Sequence, residues 1–364
     1  MPEPKGPSWR PIYPHQYGAF APSLFTGRPA PRRTYTITEL DSLGGDADAY
    51  SISESGQVVG WSKLVDNKTT HAVLWQDGQP IDLGTLDNDD YSYATGIDNF
   101  GRVAGTSGSY TRIVDTWDAQ RAFSWDKGTM TPVKMLPGDL LNSAGRSNPQ
   151  GQIVGMSWHG RGTTYRGQAF LESGGTVIDL GTLNVGGRRS IANAANDSGQ
   201  VVGMSEAPSN PNNSDAFLYS NGEMIDLGSL GGNWCSAYDI NSSGQIVGFS
   251  YTASNKDVDR RAFIYDGGAM TELPTLFGSQ TFAFGINDLG EIVGASNTQP
   301  DQIGSSKSKA FILWDGAMYD LNDLIPPGSG WELWKASDIN DKGQIVGSGY
   351  KSSGQYGAFL LTPV

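Results

Sequence analysis

Three histidines, His15, His71 and His159, and one cysteine, Cys235, are the chain's whole supply of imidazole and thiol. A single cysteine permits no intramolecular disulfide and no cysteine-based zinc site. No Gly-x-Ser-x-Gly elbow, His-Glu-x-x-His pair or Gly-Lys-Ser phosphate loop occurs. The chemistry on offer lies in aromatic and charged residues gathered in a few irregular stretches. Trp158, His159, Arg161, Tyr165 and Arg166 form one; Arg188 with Arg189, Trp234, Trp331 with Trp334, and Asp89, Asp90 and Tyr91 form the others. Aromatic rings stack on the apolar faces of sugars while Arg and Asp bond the hydroxyls, so this set suits a glycan. An acid–base pair drawn from His159, Arg189, Tyr165 and Asp90 would extend binding to cleavage by a lyase or hydrolase. For Trp234 and Trp334 the structural alternative is a wedge between packed units.

The elements that must position these residues form a repeat. Gly-Gln-(Val/Ile)-Val-Gly occurs at 56–60, 151–155, 199–203, 244–248 and 343–347, with variants at 101–105 (Gly-Arg-Val-Ala-Gly) and 290–294 (Gly-Glu-Ile-Val-Gly). Successive anchors lie 45 to 53 residues apart. Before each comes a short run ending in Ile-Asn or similar, such as Ala237-Tyr238-Asp239-Ile240-Asn241; after it come an Ala-Phe segment and a Met-x-(Asp/Glu)-Leu segment. Each segment is short, rich in β-branched and aromatic residues, and bounded by Gly, Asn, Asp or Ser, which predicts strands. Asn-x-x-Gly joins the first two and Asp-Gly or Asn-Gly the last two, both hairpin chemistry. The 49 glycines, about twice average usage, serve these turns.

A four-stranded antiparallel meander of this length is the unit of a propeller blade. The seventh repeat stops after Ala358-Phe359-Leu360-Leu361, lacking its fourth strand, and Tyr35–Leu40 matches a fourth strand without the preceding three. The expectation is an all-β, seven-bladed propeller over residues 35–364, closed by strand 35–40 completing the last blade. In such a blade the first strand lies at the axis and the fourth at the rim. The tight turns then share one face, while the variable two-to-three loops and the four-to-one crossings share the other. Every candidate binding residue above maps to that loop-rich face, where binding residues concentrate. The recurrent carboxylates Asp82, Asp179, Asp226, Glu272, Asp320 and Glu39 read as architectural, as does His71. Residues 1–34 are proline-rich, carry no repeat, and read as an arm or linker able to engage a neighbouring copy.

The Ala-Phe strand, the turn Leu227-Gly228-Ser229-Leu230-Gly231-Gly232 and the run Ile240-Asn241 to Gly244-Gln245-Ile246-Val247-Gly248 resemble the HAF repeat family, described as a probable extracellular repeat. The resemblance covers about residues 35–364 and implies a secreted or cell-surface protein with a propeller fold. It implies no activity, cofactor or metal. Net charge of −13 disfavours a nucleic-acid partner. No apolar run approaches a membrane span, and the first residues have no signal-peptide core. A binding propeller holding a glycan or protein partner is the leading expectation. The alternative is a polysaccharide lyase or hydrolase with its site at the axial mouth of the propeller, left open because no complete catalytic set is visible, and assembly through residues 1–34 comes third.

Overall fold

The computed structural model describes residues 33–87, 89–110, 119–159, 165–254, 259–276, 278, 280–297 and 308–364. Arg161, residues 1–32 and parts of four variable loops lie outside the described residues. The described chain is all-β apart from one 3-10 turn at Leu321–Asp323. Its strands follow the repeat. Residues 141–181, for example, form four consecutive antiparallel strands, Leu141–Ser147, Ile153–His159, Arg166–Ser173 and Thr176–Gly181. The strand Tyr35–Leu40 pairs antiparallel with Tyr356–Pro363, Tyr35 opposite Pro363 and Leu40 opposite Ala358. Repeats touch through single parallel bridges, Thr70 to Tyr91 and Ser214 to Trp234, which join the third strand of one to the first strand of the next. No helix among the described residues is long and apolar enough to cross a membrane.

The repeating residues build the core. Phe123, Phe170, Phe217, Phe263, Phe311 and Phe359 in the third strands are fully buried, and each ring lies over the last glycine of the second-strand anchor. At Gly203 a Cβ would stand 1.9 Å from the carbonyl oxygen of Ile191 and 2.9 Å from the Phe217 ring, so only glycine fits. The register shift in each first strand, as between Ala192 and Ala194, brings that carbonyl so close.

The Asn of Ile-Asn-x-x-Gly has two tasks. The Asn196 side-chain oxygen accepts the Gln200 amide within its own turn at 3.1 Å, while its nitrogen donates to the Asn241 carbonyl of the following repeat at 3.1 Å. Asn148, Asn241 and Asn287 repeat this toward Asn196, Asn287 and Asn340, and Asn340 donates to the Ser53 carbonyl at 3.0 Å. Both variant anchors are explained here. Asp98, where the other repeats have mostly Asn, has no N–H to give; Arg102 bonds Asp98 at 2.6 Å and donates to the Gln150 carbonyl at 2.8 Å in its stead. Glu291, in the place of Gln, is balanced by Arg33 at 2.7 Å.

The outer carboxylates are architectural as expected. Asp82, Asp179 and Asp226 each accept the amide of the glycine two residues on, at 2.8 Å. A cation precedes the Ala-Phe segment in several repeats, and His71 bonds Asp82 at 2.8 Å while Arg261 lies 3.6 Å from Glu272. The fourth repeat has Asp215 at that position instead. Burial and the charge of Asp226 push its carboxyl up to about 6. A carboxyl raised on folding contributes stability that is complete below its unfolded value and lost as pH rises through about 6. Asp215→Asn is therefore expected to match wild type near pH 4 and to exceed it at pH 7, and Asp215→Arg to exceed it further, measured by urea unfolding at both pH values. Equal stability differences at the two pH values would contradict this account.

Candidate functional site

Three cavities lie where the repeats meet. The first, about 190 Å³, opens among the Asn-x-x-Gly turns. Its floor is Arg146, whose guanidinium bonds Asp338 at 2.8 Å, Asp239 at 3.2 Å and the carbonyls of Ser337 at 2.7 Å and Phe284 at 3.2 Å. One side chain from the third repeat thus reaches the fifth, sixth and seventh. Asp338 also accepts the Ile52 amide of the first repeat at 3.0 Å. Burial works against the Arg146 charge, and the two carboxylates outweigh it, so its pKa is raised. Burial likewise holds Asp239 above the usual carboxylate range despite the guanidinium. The rim carboxylates are tied to neighbouring backbone: Glu54 accepts the Asp341 amide, Asp341 that of Asp288, and Asp288 that of Ser242, at 2.8 to 3.0 Å. This mouth is structural in character.

The second cavity, about 390 Å³, lies between the crossing 322–332 and Tyr350–Ser352. Trp331 lines it with Tyr350, Pro326 and Pro327, and Lys351 lies over the Trp331 ring at 5.8 Å while also bonding Glu39.

The third and largest, about 610 Å³, is on the loop-rich face between the third and fourth repeats. His159 closes the second strand, Tyr165 and Arg166 open the third, and Arg188 comes from the crossing that leads to the next repeat; Gln168, Asp179 and Val185 complete the wall. His159 Nδ1 lies 2.5 Å from Asp139 Oδ1, and the Asp139 side chain is only 5% exposed. An ionised carboxylate only accepts, so Nδ1 carries a proton toward Asp139 and Nε2 is the nitrogen turned away from it. Arg166 bonds Gln168 at 2.5 Å and stands 3.5 Å from Asp179. The Arg188 backbone amide donates to Glu206 at 2.8 Å. Burial pushes the Tyr165 hydroxyl up, against the charge of nearby Arg189, so it stays protonated at neutral pH. Its hydroxyl stands 3.6 Å from the Met156 sulfur.

Of the residues singled out from sequence, His159, Tyr165, Arg166 and Arg188 come together here, and Arg161 lies outside the described residues. Trp158, expected in a loop, is instead within strand Ile153–His159 and 7% exposed, paired with Leu141 and Gly167 on the flanking strands, while His159 at the strand end is half-buried. Tyr91 is also 7% exposed and pairs with Gly108, with Tyr93 and Tyr110 beside its ring. Asp90 is exposed and accepts the Tyr110 amide at 2.6 Å. Arg189 lies 5.0 Å over the Trp234 ring and donates to Ser214, a contact that staples two repeats. Trp334 is half-buried and meets Tyr356 of its own repeat edge-on, with its indole nitrogen buried and without a hydrogen-bond partner. Asp139 was not singled out. The hairpin register points to it: Leu141 faces Trp158, so the chain just before Leu141 runs beside His159.

Comparison with known proteins bears on the fold. The model of a family described as "Protein of unknown function (DUF3466)" matches residues 230–358. No curated protein matches in sequence. The β-propeller domain of the Trilobed protease from Pyrococcus furiosus, titled as having an open velcro topology, superposes with TM-score 0.52 at 12% identity, covering 90% of this chain and 95% of that one. An acylaminoacyl peptidase from Pyrococcus horikoshii gives 0.51 at 12%, covering 89% of this chain and 52% of that one. A puromycin-hydrolyzing peptidase from Mycobacterium tuberculosis gives 0.51 at 10%, covering 91% and 56%. The chain thus spans about half the length of those two peptidases. At these identities the likeness concerns fold alone, and the fold it is similar to is that of β-propellers.

Proposed function

We propose that the chain is a closed seven-bladed propeller, secreted or displayed at the cell surface, that acts as a binding module for an acidic glycan. Support for closure comes from the pairing of Tyr35–Leu40 with Tyr356–Pro363 and from the Asn340 bond to Ser53, which joins the last repeat to the first. The repeat's resemblance to the HAF family supports the extracellular placement. The observation that carries the ligand class is the composition of the 610 Å³ cavity. A chain of net charge −13 sets His159, Arg166 and Arg188 around a single hollow with one carboxylate, Asp179, and beside Tyr165. Guanidinium groups match carboxylates and sulfates by paired N–H donors, and the ring offers a face for a pyranose.

A glycan array carrying neutral and uronate-bearing oligosaccharides tests this. Wild type is expected to select acidic glycans, and Arg166→Ala combined with Arg188→Ala to weaken them at least tenfold, about 1.4 kcal/mol. A preference for neutral glycans, or unchanged acidic binding by the double variant, would overturn the reading. Binding of a protein partner at the same face with no glycan bound would transfer the site to that partner.

A further inference from the structure

We propose that the same cavity cleaves its ligand by β-elimination, with His159 as the base and Tyr165 as the acid; this rests on the acidic-glycan reading above. The starting point is the His159–Asp139 pair. A carboxylate with a side chain 5% exposed holds Nδ1 at 2.5 Å, which fixes both the ring orientation and the tautomer. His159 lines a cavity large enough for a sugar unit, and in the neutral ring the Nδ1 proton leaves Nε2 as the atom able to accept a proton there. Asp139 is a positioning residue and does not itself meet the ligand.

The surrounding side chains select the reaction. Glycoside hydrolysis by the usual route needs two carboxylic groups flanking the bond. The only carboxylate in the described lining is Asp179, which already accepts the Gly181 amide and faces Arg166. Elimination from a uronate needs a base, a proton donor and cations on the carboxylate, and those are present. In the step, Nε2 of His159 takes the proton from C5, next to the carboxylate. The C5–H electron pair becomes the C4=C5 double bond. The C4–O bond breaks, and its electrons go to the glycosidic oxygen, which takes the Tyr165 proton. Arg166 and Arg188 stabilise the charge that builds on the carboxylate as the C5 proton leaves. Exchange with water restores Tyr165 and His159, and no oxidant, reductant or further reactant is consumed.

The test incubates full-length protein with polygalacturonate, alginate and hyaluronan separately, recording both binding and the ultraviolet absorbance of the conjugated double bond. Wild type is expected to form unsaturated ends on at least one polymer. His159→Gly should lower turnover by roughly a hundredfold or more while polymer affinity stays within a few-fold, and added imidazole should restore part of the rate. Asp139→Asn should lower kcat with KM unchanged. Circular dichroism and melting establish that both variants fold. Polymer bound without any double bond formed overturns the elimination and leaves the binding reading standing. Absence of binding to all three acidic polymers overturns both.

Discussion

Replacing Arg146 by methionine is expected to remove about 3–5 kcal/mol of stability, a third or more of what a folded domain commonly has. The cost comes from what is left behind. Arg146 is only 19% exposed and its partners Asp239 and Asp338 are 13% and 10% exposed, so without the guanidinium two carboxylates face each other away from water. Asp239 is already held high by burial and is pulled down chiefly by Arg146, the Ile286 and Ile240 amides adding to that. Its pKa would rise further in the variant. A carboxyl raised on folding contributes stability below its unfolded value that fades as pH increases, so the deficit should be largest near pH 7 and shrink on acidification. Lysine at 146 should recover part of the loss, because an ammonium keeps the charge but cannot fork to Asp239, Asp338 and two carbonyls.

The decisive comparison is with Arg146→Met in a background of Asp239→Asn and Asp338→Asn. If the loss is that of uncompensated charge, the triple variant should be markedly more stable than Arg146→Met alone, as buried ion sets replaced by neutral groups often are. Urea unfolding at pH 5 and pH 7 measures all four proteins. A single Arg146→Met variant within about 1 kcal/mol of wild type would mean that the cluster is solvated and does not tie the repeats together.

Much of this was legible in the sequence, because the repeat writes each position seven times. Strand order, turn chemistry and the buried phenylalanines follow from local pattern, and the anchor spacing sets the repeat length. The ion cluster of Arg146, Asp239 and Asp338 is also written there, though only across repeats. The position two before the turn residue is small in four of them, Ser51, Gly96, Ala194 and Gly285, and holds Arg146, Asp239 and Asp338 in the other three. One positive and two negative residues at an otherwise small position mark groups that meet across repeats. The 610 Å³ cavity was half legible. His159, Tyr165, Arg166 and Arg188 stand out by type, but Asp139 lies twenty residues from His159 and is joined to it only by hairpin register. The tryptophans were legible by type but not by role, because an indole at a strand end serves equally well as a sugar platform or as a wedge. Neighbouring side chains bury Trp158, set Trp334 against Tyr356 and leave Trp331 lining a cavity.

A chain beginning at Asp41 is expected to lose far more stability than one beginning at Arg33, although they differ by eight residues. The segment between them supplies Tyr35 and Leu40, 1% and 2% exposed, on either end of the strand that pairs with Tyr356–Pro363. Truncating one buried Leu typically costs about 2–5 kcal/mol. Losing Leu40, Tyr35 and the whole ladder together should therefore exceed about 5 kcal/mol, a large part of the roughly 5–15 kcal/mol available. The Tyr35 amide bond to the Leu324 carbonyl at 2.9 Å goes with them. Removal also uncovers Tyr356–Pro363 as a free edge, so the shortened chain should associate through it as well as melt earlier. Adding a synthetic peptide spanning 33–41 should reverse both effects, since it re-forms the same pairing in trans. Thermal unfolding and light scattering of the two chains, with and without the peptide, measure this. Equal melting of the two chains with no association by the shorter one would sink the closure of the ring by this strand, while leaving the four-stranded repeat itself intact.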